Sequence, residues 1–333
     1  MIEQSEKISP VFSVIVIAKN EEKNIERCLK SIAGVFSELN YSHEIILVDS
    51  KSSDCTIKIA SDLEINNLKI IKISESTIYN AALGRNIGSK RAIGKYLLFL
   101  DGDMKLYKDF LETGLKELNE KACAGLIGIR DDLILNEKLK TSQVIKNKYN
   151  IKTLKVAEHF GGALLIKKDA FDEVGGYRNY INAFEEPELY VRLKSKGYKI
   201  YEVPEKMIDH FDKPVGKIGK LKSILFSKRG FGLGQAIQSS TEEGNLKYTY
   251  GHKPIAQVLV PITFDFFSII FLILSLLNAH LVLVCIFLQI LSLLVCICFF
   301  DVKKFIVSKL LFLPTIIGTI HRPKVEYSIE NIK

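Results

Sequence analysis

The chain has 333 residues, 47% of them hydrophobic, and a formal net charge of +8. That length holds one large domain with an appendage, or two modest ones. The basic excess is not interleaved with aromatics as in a single-strand nucleic-acid groove, so no nucleic-acid partner is expected.

Hydrophobicity is unevenly spread. Up to about Lys253 every predicted element carries charge, whereas residues 255–320 are dominated by Leu, Ile, Val and Phe. The pattern implies a soluble domain followed by a membrane segment. Cys28, Cys55 and Cys123 have no metal-site spacing, and Cys285, Cys296 and Cys298 lie in the apolar run. Neither set forms a disulfide framework, so a cytosolic soluble part is expected. Met1–Pro10 is polar and lacks an apolar core, so no signal peptide is expected.

Phe12–Ala18 (FSVIVIA) reads as a buried parallel strand, followed by the polar turn Lys19-Asn20-Glu21-Glu22. Asn24–Leu39 has helical apolar spacing, and Glu44–Val48 is a second strand ending in Asp49. A helix over Asp54–Leu63, a strand over Leu68–Ile73 and a helix over Ala81–Ala92 containing Arg85 come next. The fourth strand, Lys95–Leu100, runs into Asp101-Gly102-Asp103. Alternating strands and helices predict an α/β fold with a parallel sheet, whose ligands bind at the carboxyl ends of the strands. Asn20, Glu21, Asp49, Asp101 and Asp103 cluster at those ends. No Gly-rich phosphate loop follows the first strand and no Walker sequence occurs, which argues against a dinucleotide or P-loop domain.

Further strands are predicted over Ala124–Arg130, Phe160–Ile166 and Tyr198–Val203, with helices over Lys168–Val174 and Glu185–Lys196. Gly161 and Gly162 open the second of these strands, as where something approaches the backbone closely.

Asp101 and Asp103, with a glycine between them, can turn toward one hard cation, Mn²⁺ or Mg²⁺, shared with substrate phosphates. Asp49 could accept hydrogen bonds from a base or ribose, while Asp54 chiefly caps a helix. His210 is a third metal ligand, a diphosphate contact or a plain surface histidine. Lys228-Arg229-Gly230-Phe231-Gly232-Leu233-Gly234 could grip the leaving diphosphate or a lipid phosphate; the alternative is a flexible loop.

The ordered set VFSVIVIAKNEE, EIILVDSKSSD, NIGSKRAIGKYLLFLDGD, FGGALLIKKDAFDEVGGY and EEPELYVRLKSKGY resembles the inverting family 2 glycosyltransferases with a GT-A fold, over roughly residues 10–212. The resemblance implies a Rossmann-like parallel or mixed sheet and a nucleotide-sugar donor. It implies that Asp49 contacts the nucleotide and that Asp101 and Asp103 bind nucleotide and metal; Ala18, Asn20, Glu21, Arg85 and Gly102 are expected to complete the donor site, with His210 the candidate third metal ligand. Gly161 and Gly162 would line the acceptor side. The acidic dipeptide would supply the catalytic base, Glu186 by alignment and Glu185 as the alternative. Two departures stand out. The motif usually written Asp-Asp-Gly-Ser-Thr-Asp is here Asp49-Ser50-Lys51-Ser52-Ser53-Asp54, and the usual Glu-Asp is Glu185-Glu186. The Gln-X-X-Arg-Trp motif of processive members is absent, since the chain has no tryptophan.

Val258–Leu277 and Leu281–Phe300 each have the length of one bilayer crossing, joined by Asn278-Ala279-His280. Phe305–Ile320, interrupted by Lys309 and Pro314, reads as an interfacial or re-entrant helix. Lys247, Lys253, Lys303 and Lys304 flank the pair and predict a cytoplasmic catalytic domain on a multi-pass cell-membrane protein. The expected order is a catalytic domain over 1–212, a basic juxtamembrane segment over 213–254, a membrane region over 255–320 and a cytoplasmic tail over 321–333. The acceptor expected from this location is a lipid-linked glycan precursor. The competing readings are a nucleotidyltransferase of similar fold and a catalytically silent membrane scaffold.

Overall fold

The structure is a computed structural model and describes residues 11–118, 123–136, 140–212 and 228–333. Of the expected basic segment, Lys213, Lys217, Lys220 and Lys222 lie outside the described residues, as does the polar start Met1–Pro10. The chain forms two compact units. The first runs to Asn179, resumes at Lys196 and takes in Lys324–Lys333; the second holds Tyr180–Ser195 and the later chain up to Pro323.

The first unit is built on one sheet. Its elements are β1 (Phe12–Ala18), α1 (Ile25–Leu39), β2 (His43–Asp49), α2 (Thr56–Asp62), β3 (Leu68–Ser76), α3 (Ala81–Arg91), β4 (Tyr96–Asp101), β5 (Met104–Leu106), α4 (Asp109–Glu117), β6 (Cys123–Leu135), β7 (Thr141–Ile145), β8 (Lys155–Val156), β9 (Leu164–Lys167), α5 (Lys168–Glu173), β10 (Lys199–Asp212) and β11 (Tyr327–Asn331). Among the described residues the order is β11-β3-β2-β1-β4-β9-β6-β10-β5, with β7 on β6 and β8 on β10. β1 is parallel to β2 and β4, and β2 to β3. β9 runs antiparallel to β4 and β6, so the sheet is mixed.

Helix α1 buries Ile25, Cys28, Leu29, Ile32, Val35 and Phe36 along one face, worth about 1.5–3 kcal/mol for each large side chain. Helix α3 approaches β1 closely through glycine. A Cβ at Gly88 would lie 2.4 Å from Ile15 Cγ2, and one at Gly84 would lie 3.0 Å from Ile17 Cγ2. Between those contacts α3 carries Arg85.

Three strands differ most from their expected bounds. β6 continues past Arg130 because its polar residues are paired, Arg130 with Asp132 at 2.6 Å and Asp131 with Lys206. β10 passes through Pro204, where a register shift between Glu202 and Lys206 absorbs the missing N–H. β9 starts at Leu164, which leaves Gly161 and Gly162 in the loop before it. Within the expected tail over 321–333, Tyr327–Asn331 forms an edge strand. β11 pairs antiparallel with β3, and Ile70 N–H donates to Lys333 O at 3.0 Å.

The second unit holds α6 (Glu185–Ser195), a short 3₁₀ turn (Lys228–Phe231), α7 (Gly232–Glu242), α8 (Leu246–Tyr250), α9 (Lys253–Leu274), α10 (Leu281–Phe299) and α11 (Val302–Ile320). Helix α6, expected within the catalytic domain over 1–212, belongs to this unit. The glycine-spaced segment is a packing device, not a flexible loop. A Cβ on Gly232 would lie 2.2 Å from Ala183 O, and one on Gly234 would lie 2.0 Å from Thr315 O of α11. Helices α9 and α10 are long and apolar enough to cross a membrane, and expose Phe266, Phe267, Leu272, Ile273, Phe287 and Leu294 among others. The charges that interrupt the apolar pattern are partners: Lys309 of α11 pairs with Asp265 of α9, and Gln289 of α10 donates to Asp265 at 3.1 Å.

Ending the chain at Pro323 removes β11 and opens the β3 edge. At about 0.5–1.5 kcal/mol per net hydrogen bond, the loss is a few kcal/mol. Thermal unfolding of the shortened chain is expected to show a lower midpoint and concentration-dependent aggregation; an unchanged midpoint would make β11 dispensable.

Candidate active site

The carboxyl ends of β2, β1 and β4 lie side by side, with Ala18 opposite Asp49 and Ile17 opposite Asp101. Gly102 N–H donates to Ile17 O at 2.9 Å, which folds the Asp101-Gly102-Asp103 turn back over β1. A Cβ on Gly102 would meet Ala18 Cβ at 3.2 Å.

Asp49 is fully buried. Its Oδ1 accepts from Ser52 N–H at 2.8 Å, while Oδ2 has no hydrogen-bond partner among the described residues. Asn20 is committed to the scaffold: its backbone is left-handed at φ 59°, and its side-chain oxygen accepts from Ser53 N–H at 2.9 Å. Glu21 accepts from Asn24 Nδ2 at 2.7 Å and its N–H donates to Thr56 at 2.8 Å. Lys51, where the family motif has its glycine, adopts φ 61°, the left-handed conformation that favours glycine.

Arg85 is buried and donates to Asp101 Oδ1 at 2.9 Å. Gly162 closes on this pair. A Cβ there would lie 2.5 Å from Asp101 Oδ2 and 2.8 Å from Arg85 Nη2. Gly161 is equally confined, with Tyr149 Oη 2.6 Å from its would-be Cβ.

Antiparallel pairing of β5 with β10 sets His210 opposite Met104 and brings it to Asp103. His210 Nε2 lies 3.4 Å from Asp103 Oδ2, and Nδ1 lies 2.9 Å from Arg130 Nη2 and 3.3 Å from Asp132 Oδ1. Asp103 Oδ1 is buried without a hydrogen-bond partner among the described residues. Burial disfavours a charged imidazole. The hydrogen bond and charge of Asp103, with the charge of Asp132, outweigh burial and the opposing Arg130, so the His210 pKa lies above its ordinary value. Burial, with the charges of Asp103 and Asp101, pushes the Cys28 thiol far up, so beneath the site it stays protonated.

Among the described residues, no three His, Cys, Asp or Glu side chains converge as a ready-made metal site. Asp101 is turned to Arg85, which leaves Asp103 and His210 as the facing pair of the expected three. The unpartnered Asp103 oxygen and the imidazole fit a hard divalent cation that takes its remaining ligands from a diphosphate. Asp132 beside Nδ1 is the kind of carboxylate that orients a ligating histidine. Arg130, Asp132 and Tyr149 were not singled out from the sequence; the signal for the first two is the polar run Arg130-Asp131-Asp132 closing an apolar strand.

Glu185 and Glu186 open α6 in the second unit, where Glu185 is buried and Glu186 is partly exposed. Phe184 before them holds φ 67°, a strained conformation for a bulky residue. Glu188 is structural: Arg192 binds its carboxylate in bidentate fashion at 2.7 and 2.6 Å, and Ser239 donates to it at 2.7 Å.

A mixed α/β sheet with acids at the carboxyl ends of its parallel strands defines a GT-A type of transferase. Residues 13–175 match the family model described as Glycosyl transferase family 2. Those residues form a family 2 glycosyltransferase domain. It is 26% identical to the glycosyltransferase AglE of Haloferax volcanii over 63% of this chain and 70% of the relative. It is 35% identical to the putative teichuronic acid biosynthesis glycosyltransferase TuaG of Bacillus subtilis, over 34% of this chain and 44% of that one. In fold it is similar to the mannosyltransferase PcManGT of Pyrobaculum calidifontis, solved with GDP-Man and Mn²⁺, at a TM-score of 0.56 and 16% identity, covering 94% of this chain and 88% of that one. The family assignment removes the nucleotidyltransferase reading.

Two outcomes test this geometry. Gly162→Ala should displace the Asp101 carboxylate and cut transferase activity at least tenfold (~1.4 kcal/mol) with an unchanged circular dichroism spectrum. In the metal-free protein, His210 should titrate above 6.5 by NMR. Asp103→Asn should lower that pKa, because the carboxylate's charge and its hydrogen bond to the imidazole are the main causes that raise it. With the folded pKa raised, the stability His210 contributes is complete below its unfolded value and is lost as pH rises through the folded one.

Proposed function

We propose that the chain transfers a sugar from a nucleotide diphosphate donor to an acceptor hydroxyl with inversion, aided by Mn²⁺ or Mg²⁺, the acceptor being a lipid-linked glycan precursor. The observation that carries this reading is the pair of buried carboxylate oxygens without hydrogen-bond partners among the described residues, Asp49 Oδ2 at the carboxyl end of β2 and Asp103 Oδ1 in the turn after β4, on either side of β1. A buried acceptor left unmade costs about 1–3 kcal/mol, which a bound ligand repays. Asp49 then accepts from the nucleoside's N–H or hydroxyl groups, and Asn20 and Glu21 brace the turn around it. Arg85 fixes the orientation of Asp101. A cation bound by Asp103 and His210, with Asp101, would offset the charge growing on the leaving diphosphate. Glu186, by the family resemblance, takes the acceptor proton as the hydroxyl oxygen bonds the anomeric carbon and the diphosphate departs; Glu185 is the alternative.

Membrane attachment is read as a hairpin of α9 and α10 with the catalytic part in the cytoplasm. The chain leaves the sheet before these helices and returns to it as β11, which supports an even number of crossings. Two satisfy that requirement and a third by α11 would not. The close backbone contact of Gly234 with Thr315 supports α11 as an interfacial helix. Lys253 before the hairpin and Lys303 and Lys304 after it agree with the positive-inside rule.

Glu186→Gln should keep donor binding and lose on the order of 10²–10⁴ in transfer rate. Asp103→Asn should lose metal-dependent turnover. Full turnover in Glu186→Gln with a dead Glu185→Gln would move the base by one residue, and full metal-dependent activity in Asp103→Asn would remove the cation assignment. In sealed vesicles of native orientation, external protease should reach the Asn278–His280 turn and spare the first unit and helix α6. Cleavage of the latter from outside would invert the topology.

A further inference from the structure

Within the second unit, a cavity of about 420 Å³ lies between the loop that precedes Glu185 and the first turns of α9 and α11. Phe184, Val258 and Leu311 give it apolar walls, and Arg229 and Lys304 give it two cations. No Asp or Glu is among its described lining residues. We propose that this cavity seats the phosphate of a lipid-linked acceptor, a prenyl-type phosphate or diphosphate ester. The inference rests on the acceptor reading above.

Two observations converge. The first is charge: Arg229 and Lys304 stand on a wall with no acid among its described lining residues, which suits an anion, and a charge-assisted contact to Arg229 holds it with direction. The second is position. Both helices carry exposed apolar surface, with Phe266, Ile269 and Leu272 on α9 and Ile306 and Leu313 on α11. A phosphate on a hydrocarbon tail fits a basic cavity from which such surfaces run; a free phosphate has no use for them.

The neighbouring loop is built for fixed placement. Gly232 packs against the backbone of Ala183, and Phe184 is held in its left-handed conformation one residue before Glu185. A phosphate anchored beside Phe184 therefore presents the glycan attached to it close along the chain to the acidic dipeptide. The anchor holds the acceptor while the acid removes its proton, which is the positioning that raises effective concentration.

The test uses the full chain in nanodiscs of neutral lipid, with a polyprenyl phosphate as probe and the matching prenol and inorganic phosphate as comparators. Wild type should retain the polyprenyl phosphate and not the prenol. Arg229→Gln combined with Lys304→Gln should weaken retention at least tenfold at an unchanged thermal midpoint, and Lys304→Arg alone should keep it. Inorganic phosphate displacing the probe at equal concentration would reduce the site to a free-phosphate pocket and overturn the lipid assignment. Wild-type retention in the double variant would overturn the site itself. Glu186→Gln should bind the probe as wild type does. Retention there, with no sugar transfer by wild type to any lipid-phosphate acceptor, would sink the proposed function and leave the anchor standing. Donor turnover without probe retention would do the reverse.

Discussion

The ion pair between the buried Arg85 and Asp101 at the end of β4 is the constraint around which the donor side of the first unit is arranged. A guanidinium can lie beneath a strand end only if its helix comes close to the sheet, and Gly84 and Gly88 allow α3 to press onto Ile17 and Ile15. The pair then fills the space that a Cβ on Gly162 would need. Arg85 is the buried member of the pair and Asp101 the partly exposed one, so the carboxylate is what offsets burial of the guanidinium. One interaction thus accounts for the sequence at three separated places.

The two ends of the sheet treat buried carboxylates differently. At the amino end, Glu44 accepts from Ser13 Oγ at 2.6 Å, Ile93 N–H at 2.8 Å and Lys69 Nζ at 2.7 Å. Burial works against that charge, and the three donors outweigh it, so the Glu44 carboxyl lies below its ordinary pKa. At the carboxyl end, Asp49 and Asp103 each keep a buried oxygen without a partner among the described residues. A network complete at one end and short of donors at the other separates stability from ligand binding within a single sheet.

In the second unit glycine works by close packing. Gly232 meets the backbone of Ala183, and Gly234 meets α11 beside Gly318. Helix α7 thereby touches both the loop that carries the acidic dipeptide and the last apolar helix, and its Ser239 also holds Glu188 of α6. The Asp265–Lys309 pair, with Gln289, ties α9, α10 and α11 together. Charges that interrupt an apolar helix are tolerated because each has a partner on its neighbour.

The sequence by itself determined the elements whose signals are local. Continuous apolar runs marked β1, β2 and β4, and the acids that end them pointed to Asp49, Asp101 and Asp103 before any coordinates were needed. Length and composition marked α9 and α10. Tertiary structure alone decided what depends on residues distant in the chain. Tyr327–Asn331 has no strand signal of its own and becomes a strand because β3 offers an open edge. His210 reaches Asp103 only through the pairing of β5 with β10, and Arg130 and Asp132 join it from the neighbouring β6. Periodicity reports how a segment meets water or core. It carries no information about which strand will lie beside it, and around Asp103 the neighbouring strands supply His210, Arg130 and Asp132.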